Sequence, residues 1–404
     1  MIKMFLNTVD RFIRIRIIIF LFYFFRLWPL KNKIVATTMR GRKYGDNPQY
    51  ILEELRKLRP DLDFVWLRNL LYDFDIPDWI REVPYYTLVK KVYELATAKV
   101  WINTHRIEHY IRKRKGQLFI ETWHGGLGMK KIEMDTEVVR NSKEEMAELE
   151  NTCKLADVFI SNSEHLSKIY RRAFGYKGPI YKCGYPKNDV LLSDNQIERE
   201  RVMKYLGVAP NTHLCMYAPT FRDIFEKEGT VNLDLYNIDF TSLEQTLRQK
   251  FGGDWKILVR WHPLMRNYIK EKGVSFTSTI DVTEYENMQD LICSVDLMIS
   301  DYSSCIFDAA IREIPCFTFT KDFEEYKSER GVYFEMEDLP FPNSRDNEEL
   351  LKKIIGFDND KYLLSLKEFE TRVGLNETGH ASKDIAMKIK NHLDGEIINW
   401  ASDK

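Results

Sequence analysis

From residue 31 onward, short apolar runs rich in β-branched and aromatic residues alternate with longer stretches of helical periodicity. That alternation predicts strands followed by helices. In the first half the strand runs fall at 33–39, 63–68, 99–104, 117–122, 157–162 and 180–183. Each is a continuous hydrophobic run, the pattern of a parallel sheet covered on both faces. Helices are predicted over 48–58, entered through the turn Gly45-Asp46-Asn47, and over 142–155. A second series of strand runs, 213–218, 256–260, 297–300, 315–320 and 331–335, follows the hydrophilic stretch 193–204, which reads as the connection. The tail, 347–393, is helical and amphipathic. The fold class expected is α/β, with two doubly wound Rossmann-like domains at 31–195 and 196–404. Ligand is expected where the carboxyl ends of both sheets face each other.

Residues 1–30 stand apart. Only nine uninterrupted apolar residues, 17–25, lie between Arg16 and Arg26, well short of the ~20 that span a bilayer. The run ends in Arg26-Leu27-Trp28-Pro29 with no small-residue cleavage site, which argues against a signal peptide. Arginines at 11, 14, 16 and 26 among Phe, Tyr and Trp fit an amphipathic helix lying on an anionic membrane surface.

Charge sharpens that reading. The chain of 404 residues has a formal net charge of −1, yet ten Lys or Arg against one acid fall in its first 43 residues. The bulk of the molecule is therefore acidic and unsuited to nucleic acid, while its start favours an anionic surface. Six cysteines without C-x-x-C pairing read as reduced core residues.

Polar motifs follow several strand runs. Glu121-Thr122-Trp123-His124-Gly125-Gly126 places an imidazole beside glycines whose amides, at a helix start, could bind phosphate. Arg260-Trp261-His262-Pro263 offers a guanidinium and an imidazolium for phosphate oxygens, or a plain strand-end ion pair. Ser300-Asp301-Tyr302-Ser303-Ser304, with Asp308, offers hydroxyls and amides for an anion and carboxylates to orient donors or hold a ribose; serines there also serve as ordinary helix caps. Gly184-Tyr185-Pro186-Lys187-Asn188-Asp189 and Tyr217-Ala218-Pro219-Thr220-Phe221-Arg222 add Lys187, Asn188 and Arg222. The basic stretch 112–115, near His105, Arg106 and His109, is a solvated turn or a steering patch for a phosphate-bearing acceptor. Three D-x-D matches, 61–63, 73–75 and 358–360, fall outside these motifs, so neither a metal site nor a cofactor is expected.

Taken in order, these five motifs resemble the CDP-glycerol glycerophosphotransferase family of teichoic acid primases and polymerases, over roughly 117–331, with Phe323, Tyr326 and Arg330-Gly331 similar to its closing segment. The resemblance implies a GT-B fold, peripheral attachment to the cytoplasmic face of the cell membrane, and a CDP-polyol donor, CDP-glycerol or CDP-ribitol. It implies an acceptor that is an undecaprenyl-diphosphate-linked saccharide or a growing polymer. His124 would be the general base. Arg222, His262, Ser303 and Ser304 would bind the pyrophosphate, with Trp123, Gly125, Gly126, Lys187, Asn188, Arg260, Asp301 and Asp308 completing the substrate contacts.

Overall fold

A computed structural model of the chain describes residues 2–222, 232–274 and 276–400. The apolar runs form two all-parallel sheets, one in each of two compact units. The first unit is Met1–His124, Ile132–Asp189 and Asn376–Lys404; the second is Gly125–Lys131 and Val190–Leu375.

In the first unit, seven strands run in the order β3-β2-β1-β4-β5-β6-β7. They are β1 (Lys31–Thr37), β2 (Asp63–Arg68), β3 (Ile80–Pro84), β4 (Ala98–Asn103), β5 (Leu118–Glu121), β6 (Val158–Ser161) and β7 (Ile180–Lys182). Val35 of β1 lies opposite Val65 of β2 and Trp101 of β4. These side chains join Phe119, Val92 and Leu95 in one core. Among the described residues the second unit has six strands in the order β10-β9-β8-β11-β12-β13. They are β8 (His213–Ala218), β9 (Trp255–Val259), β10 (Thr279–Asp281), β11 (Leu297–Ser300), β12 (Cys316–Phe319) and β13 (Asn343–Ser344). Strand order reverses beside β1 in one sheet and beside β8 in the other. Loops leaving the carboxyl ends of β1 and β4, and of β8 and β11, therefore diverge and open a crevice in each unit.

Three strands went unread in the sequence. β3, β10 and β13 lie at or near sheet edges and are short and partly exposed, so they lack a continuous apolar run. The strand expected at 331–335 is absent: Val332 makes only an isolated antiparallel bridge with Lys130. The hydrophilic stretch at 193–204 is largely a helix, Gln196–Leu206.

The domain boundary also differs from the expected one. The last helix, Ala381–Leu393, belongs to the first unit, not to a continuous second domain ending at 404. Asp189 explains the return, because its carboxylate accepts the N–H groups of Ala381 (2.9 Å) and Ser382 (2.7 Å) at the start of that helix.

The N-terminal segment forms helix α1 (Ile2–Phe24). The loop after β1 leads into α2 (Asp46–Leu58), and α3 (Leu88–Thr97) precedes β4. α1 packs on α3 and buries Phe22, with Phe25 just beyond it. Phe12, Ile13, Ile17, Phe20, Tyr23 and Phe24 remain exposed. Among the described residues no helix is long and apolar enough to cross a membrane.

Candidate functional site

In the first unit, the loops leaving β1, β4 and β5 carry the site. Trp123 adopts a left-handed backbone, φ 54. That turn is held from both sides: its N–H donates to Glu121 Oε1 at 2.9 Å, and its carbonyl accepts from Asn47 Nδ2 at 3.1 Å. Burial pushes the pKa of the Glu121 carboxyl well above its ordinary range. The Trp123 ring is buried against Phe174. Trp123 is thus the scaffold of the turn, and the next side chain, His124, is only half-buried.

His124 Nδ1 lies 2.9 Å from the carbonyl oxygen of Thr104. A carbonyl only accepts, so Nδ1 carries a proton, and whenever the ring is neutral its lone pair falls on Nε2. That is the tautomer a general base needs. The ring of His105 lies 5.9 Å away, and burial, with His124 nearby, pushes its pKa well down. Both imidazoles line a cavity of about 490 Å³ together with Arg40, Arg42, Arg106 and three glutamates. The sequence reading missed Arg40 and Arg42, although a glycine between two arginines at a strand end, Arg40-Gly41-Arg42, was a usable signal.

Lys187 and Asn188 support this turn from behind. The Lys187 N–H donates to Asn47 Oδ1 at 3.2 Å, and Asn47 in turn holds Trp123. Asn188 Nδ2 donates to Glu377 at 2.8 Å. Gly184 has φ 90, and a Cβ there would come within 2.8 Å of Glu377 Oε2. The expected substrate-binding motif 184–189 therefore binds the returning C-terminal segment. The basic stretch is engaged too: Arg114 donates to the carbonyls of Arg26 and Trp28, and Lys113 pairs with Asp157.

The chain enters the second unit directly after His124. Gly125 and Gly126 do not open a helix as expected; the segment runs irregularly to the Lys130–Val332 bridge. A Cβ built on Gly128 would lie 3.9 Å from Ser304 Cβ, so this loop runs beside the serine turn. Ser303 Oγ accepts from Cys305 Sγ at 3.1 Å, and Ser304 precedes the short helix Cys305–Ala310. Asp308 is buried and accepts from Gln289 at 3.4 Å.

His262 packs its ring 4.5 Å from that of Phe221. Burial, reinforced by the charges of Lys130 and Arg330, pushes its pKa down to about 3. Its Nδ1 accepts the Leu264 N–H at 3.3 Å, which leaves the proton on Nε2. His262 is therefore a neutral donor, not the imidazolium the sequence suggested. Lys130 and Arg330 supply the positive charge here, over the Phe221 ring at 6.0 and 5.5 Å. Sequence reasoning overlooked Lys130 and saw Arg330 only as part of a closing segment.

The two expected arginine ligands are occupied by protein. Arg222 is buried and donates to Asp301 (2.9 Å), to both Asp322 oxygens (2.5 and 2.9 Å) and to the Thr220 carbonyl. Asp301 also accepts the Thr220 and Tyr302 N–H groups at 2.8 and 2.6 Å. The pair clamps the β8 loop to the β11 loop, and both Asp301 oxygens accept from protein donors. Arg260 Nη1 donates to the carbonyls of Val282 and Tyr285, and burial lowers its pKa to about 10. It is a strand-end brace through carbonyls, and among the described residues it makes no ion pair. A separate cavity of about 560 Å³, among Pro340, Lys353 and Tyr362, holds no residue of the motifs.

Known proteins place this arrangement. The Teichoic acid poly(glycerol phosphate) polymerase of Bacillus subtilis (strain 168) is 29% identical over 370 residues, which cover 88% of this chain and 48% of that protein. The chain thus spans about half the length of that relative. The protein of the same description from Bacillus spizizenii is 26% identical over 398 residues, 94% of this chain and 97% of that one. Among solved structures, a histidine variant of the Wall Teichoic Acid Polymerase TagF soaked with CDPG superposes with a TM-score of 0.80 at 26% identity, covering 98% of this chain and 99% of that one. Residues 19–391 match a single family along almost the whole chain, and the protein belongs to it: the CDP-Glycerol:Poly(glycerophosphate) glycerophosphotransferase family.

Proposed function

We propose that this protein transfers glycerol phosphate from CDP-glycerol to a hydroxyl of a lipid-linked teichoic-acid-type acceptor, releasing CMP. The observation that carries the reading is the His124 Nδ1–H donated to the Thr104 carbonyl, which leaves Nε2 as the nitrogen that can take up and release a proton.

In this reaction the acceptor oxygen gives its proton to His124 Nε2 as it attacks the β-phosphorus of the donor. The bond from that phosphorus to the bridging oxygen breaks, and CMP leaves with the electron pair. Charge grows on the transferring and leaving phosphates, where fixed donors contribute most. Within the second unit, donors and charges of this kind are the neutral His262 Nε2–H, Lys130, Arg330 and the Ser303–Ser304 turn. Arg222, Asp301 and Arg260 shape that surface without touching substrate.

The same reading puts the protein on the cytoplasmic face of the cell membrane as a peripheral protein. Its support is α1, whose Phe12, Ile17, Phe20 and Tyr23 are exposed beside Arg11, Arg14 and Arg16. The deciding experiment supplies CDP-glycerol, CDP-ribitol and a UDP-sugar separately with a panel of lipid-linked acceptors and follows nucleotide release. Acceptor-dependent CMP from CDP-glycerol alone is the expected result. CMP from CDP-ribitol alone would change the polyol, and UDP release would replace the reading by glycosyl transfer.

A further inference from the structure

We infer that Arg42, in the arginine-lined cavity beside His124, is the residue that holds the acceptor, its guanidinium taking a phosphodiester of the family's poly(glycerophosphate) chain. The inference rests on the proposed transfer reaction and assigns one residue to its acceptor.

The cavity lies at the switch point of the first sheet, where the loops after β1 and β4 diverge. Its backbone is strained there. Of the seven non-glycine residues with positive φ among the described residues, Met39 and Arg40 line the cavity, Trp123 precedes His124, and Glu133 pairs with the cavity residue Arg106 at 3.2 Å. Gly41, between the two arginines, has φ 83, and a Cβ there would lie 2.6 Å from the Leu67 carbonyl oxygen. Strain of this kind persists only where the surroundings over-determine it, and it gathers at functional sites. Thr104 joins the two halves: its Oγ1 accepts the Met39 N–H at 3.1 Å, while its carbonyl holds His124.

The charges define the ligand. Glu148 pairs with Arg40, Glu145 with Arg106 and Glu144 with Arg11. Each lining carboxylate thus has its own arginine. Arg42 is exposed and has no carboxylate partner among the described residues; its guanidinium lies only over the Tyr72 ring, at 5.8 Å. One uncompensated guanidinium suits a monoanionic phosphodiester. The paired glutamates keep oxygens able to accept from neighbouring hydroxyls. Phosphate at one end, hydroxyls at the other and a base at Nε2 describe the end of a polyol phosphate chain. A cavity of about 490 Å³ has room for it.

The test titrates the full chain with a synthetic tri(glycerol phosphate), without donor, by calorimetry, and repeats it with Arg42→Ala and Arg42→Lys. Binding should weaken at least tenfold in Arg42→Ala and recover in part in Arg42→Lys. Free glycerol should not compete, and the melting temperature should stay unchanged because Arg42 is exposed. Equal affinity in all three proteins, or no binding by the unaltered one, would overturn the site. Failure of the transferase reading would look different: Arg42-dependent binding intact, with no CMP released from CDP-glycerol.

Discussion

The Thr104 carbonyl oxygen lies 2.9 Å from His124 Nδ1, and this contact decides which nitrogen of the histidine does chemistry. A backbone acceptor at the end of β4 fixes the ring of a residue that follows β5. His124→Ala should lower the turnover of CMP release by ~10² to 10⁴-fold, the usual range for a general base. The KM for CDP-glycerol should change little. Steady-state assays with both substrates varied check this, and a variant keeping more than a tenth of the turnover would remove His124 as the base.

Arg222 joins Asp301 and Asp322 in the interior of the second unit. Arg222→Ala leaves two buried carboxylates without their cation and should cost about 3–5 kcal/mol. Denaturant unfolding followed by circular dichroism measures it. A phosphate-ligand role would instead give a stable protein with weakened CDP-glycerol binding.

His262 has a folded-state pKa of about 3 against an ordinary value near 6.5. Below pH 6.5 the unfolded chain takes up a proton that the folded protein refuses, so stability falls as pH drops toward 3. His262→Asn removes this contribution. Between pH 7 and 5 its melting temperature should fall less than that of the unaltered protein, and parallel curves in a thermal melt series would contradict the burial argument.

Gly41→Ala puts a Cβ 2.6 Å from both the Leu67 carbonyl oxygen and the Asn69 nitrogen, at φ 83. Backbone cannot move aside as a flexible side chain can, so a loss of about 1–3 kcal/mol is expected from strain alone. Displacement of Arg40 and Arg42 should lower activity beyond what the stability loss explains. Activity measured well below the melting temperature separates the two effects.

On α1, Phe12, Phe20 and Tyr23 are exposed while Phe22 is buried. Replacing the three exposed residues by serine should release the protein from vesicles containing anionic lipid and leave its melting temperature intact. Unchanged co-sedimentation with the vesicles would reject the membrane-surface reading.

The central strands could be read because burial on both faces leaves a continuous apolar run, as at 297–300 in β11. The edge strand β3, Ile80–Pro84, breaks its apolar run with the exposed Arg81 and Glu82 and went unread. The motifs located His124, His262 and the serine turn, since each follows a strand at its carboxyl end. Sequence could not tell which arginines were already used. Arg222 and Arg260 are consumed by carboxylates and carbonyls from distant segments, whereas Arg42 is not. Nor could it show that Asp189 and Glu377 draw the last helix back to the first unit.

The most direct test of glycerol phosphate transfer follows the β-phosphorus. CDP-glycerol labelled with ³²P at that position and with tritium in the glycerol is incubated with the protein and a lipid-linked acceptor, and the products are separated. Both labels should appear together in the acceptor, with unlabelled CMP released. Tritium in the acceptor with ³²P left on the nucleotide would mean cleavage at carbon and contradict the account.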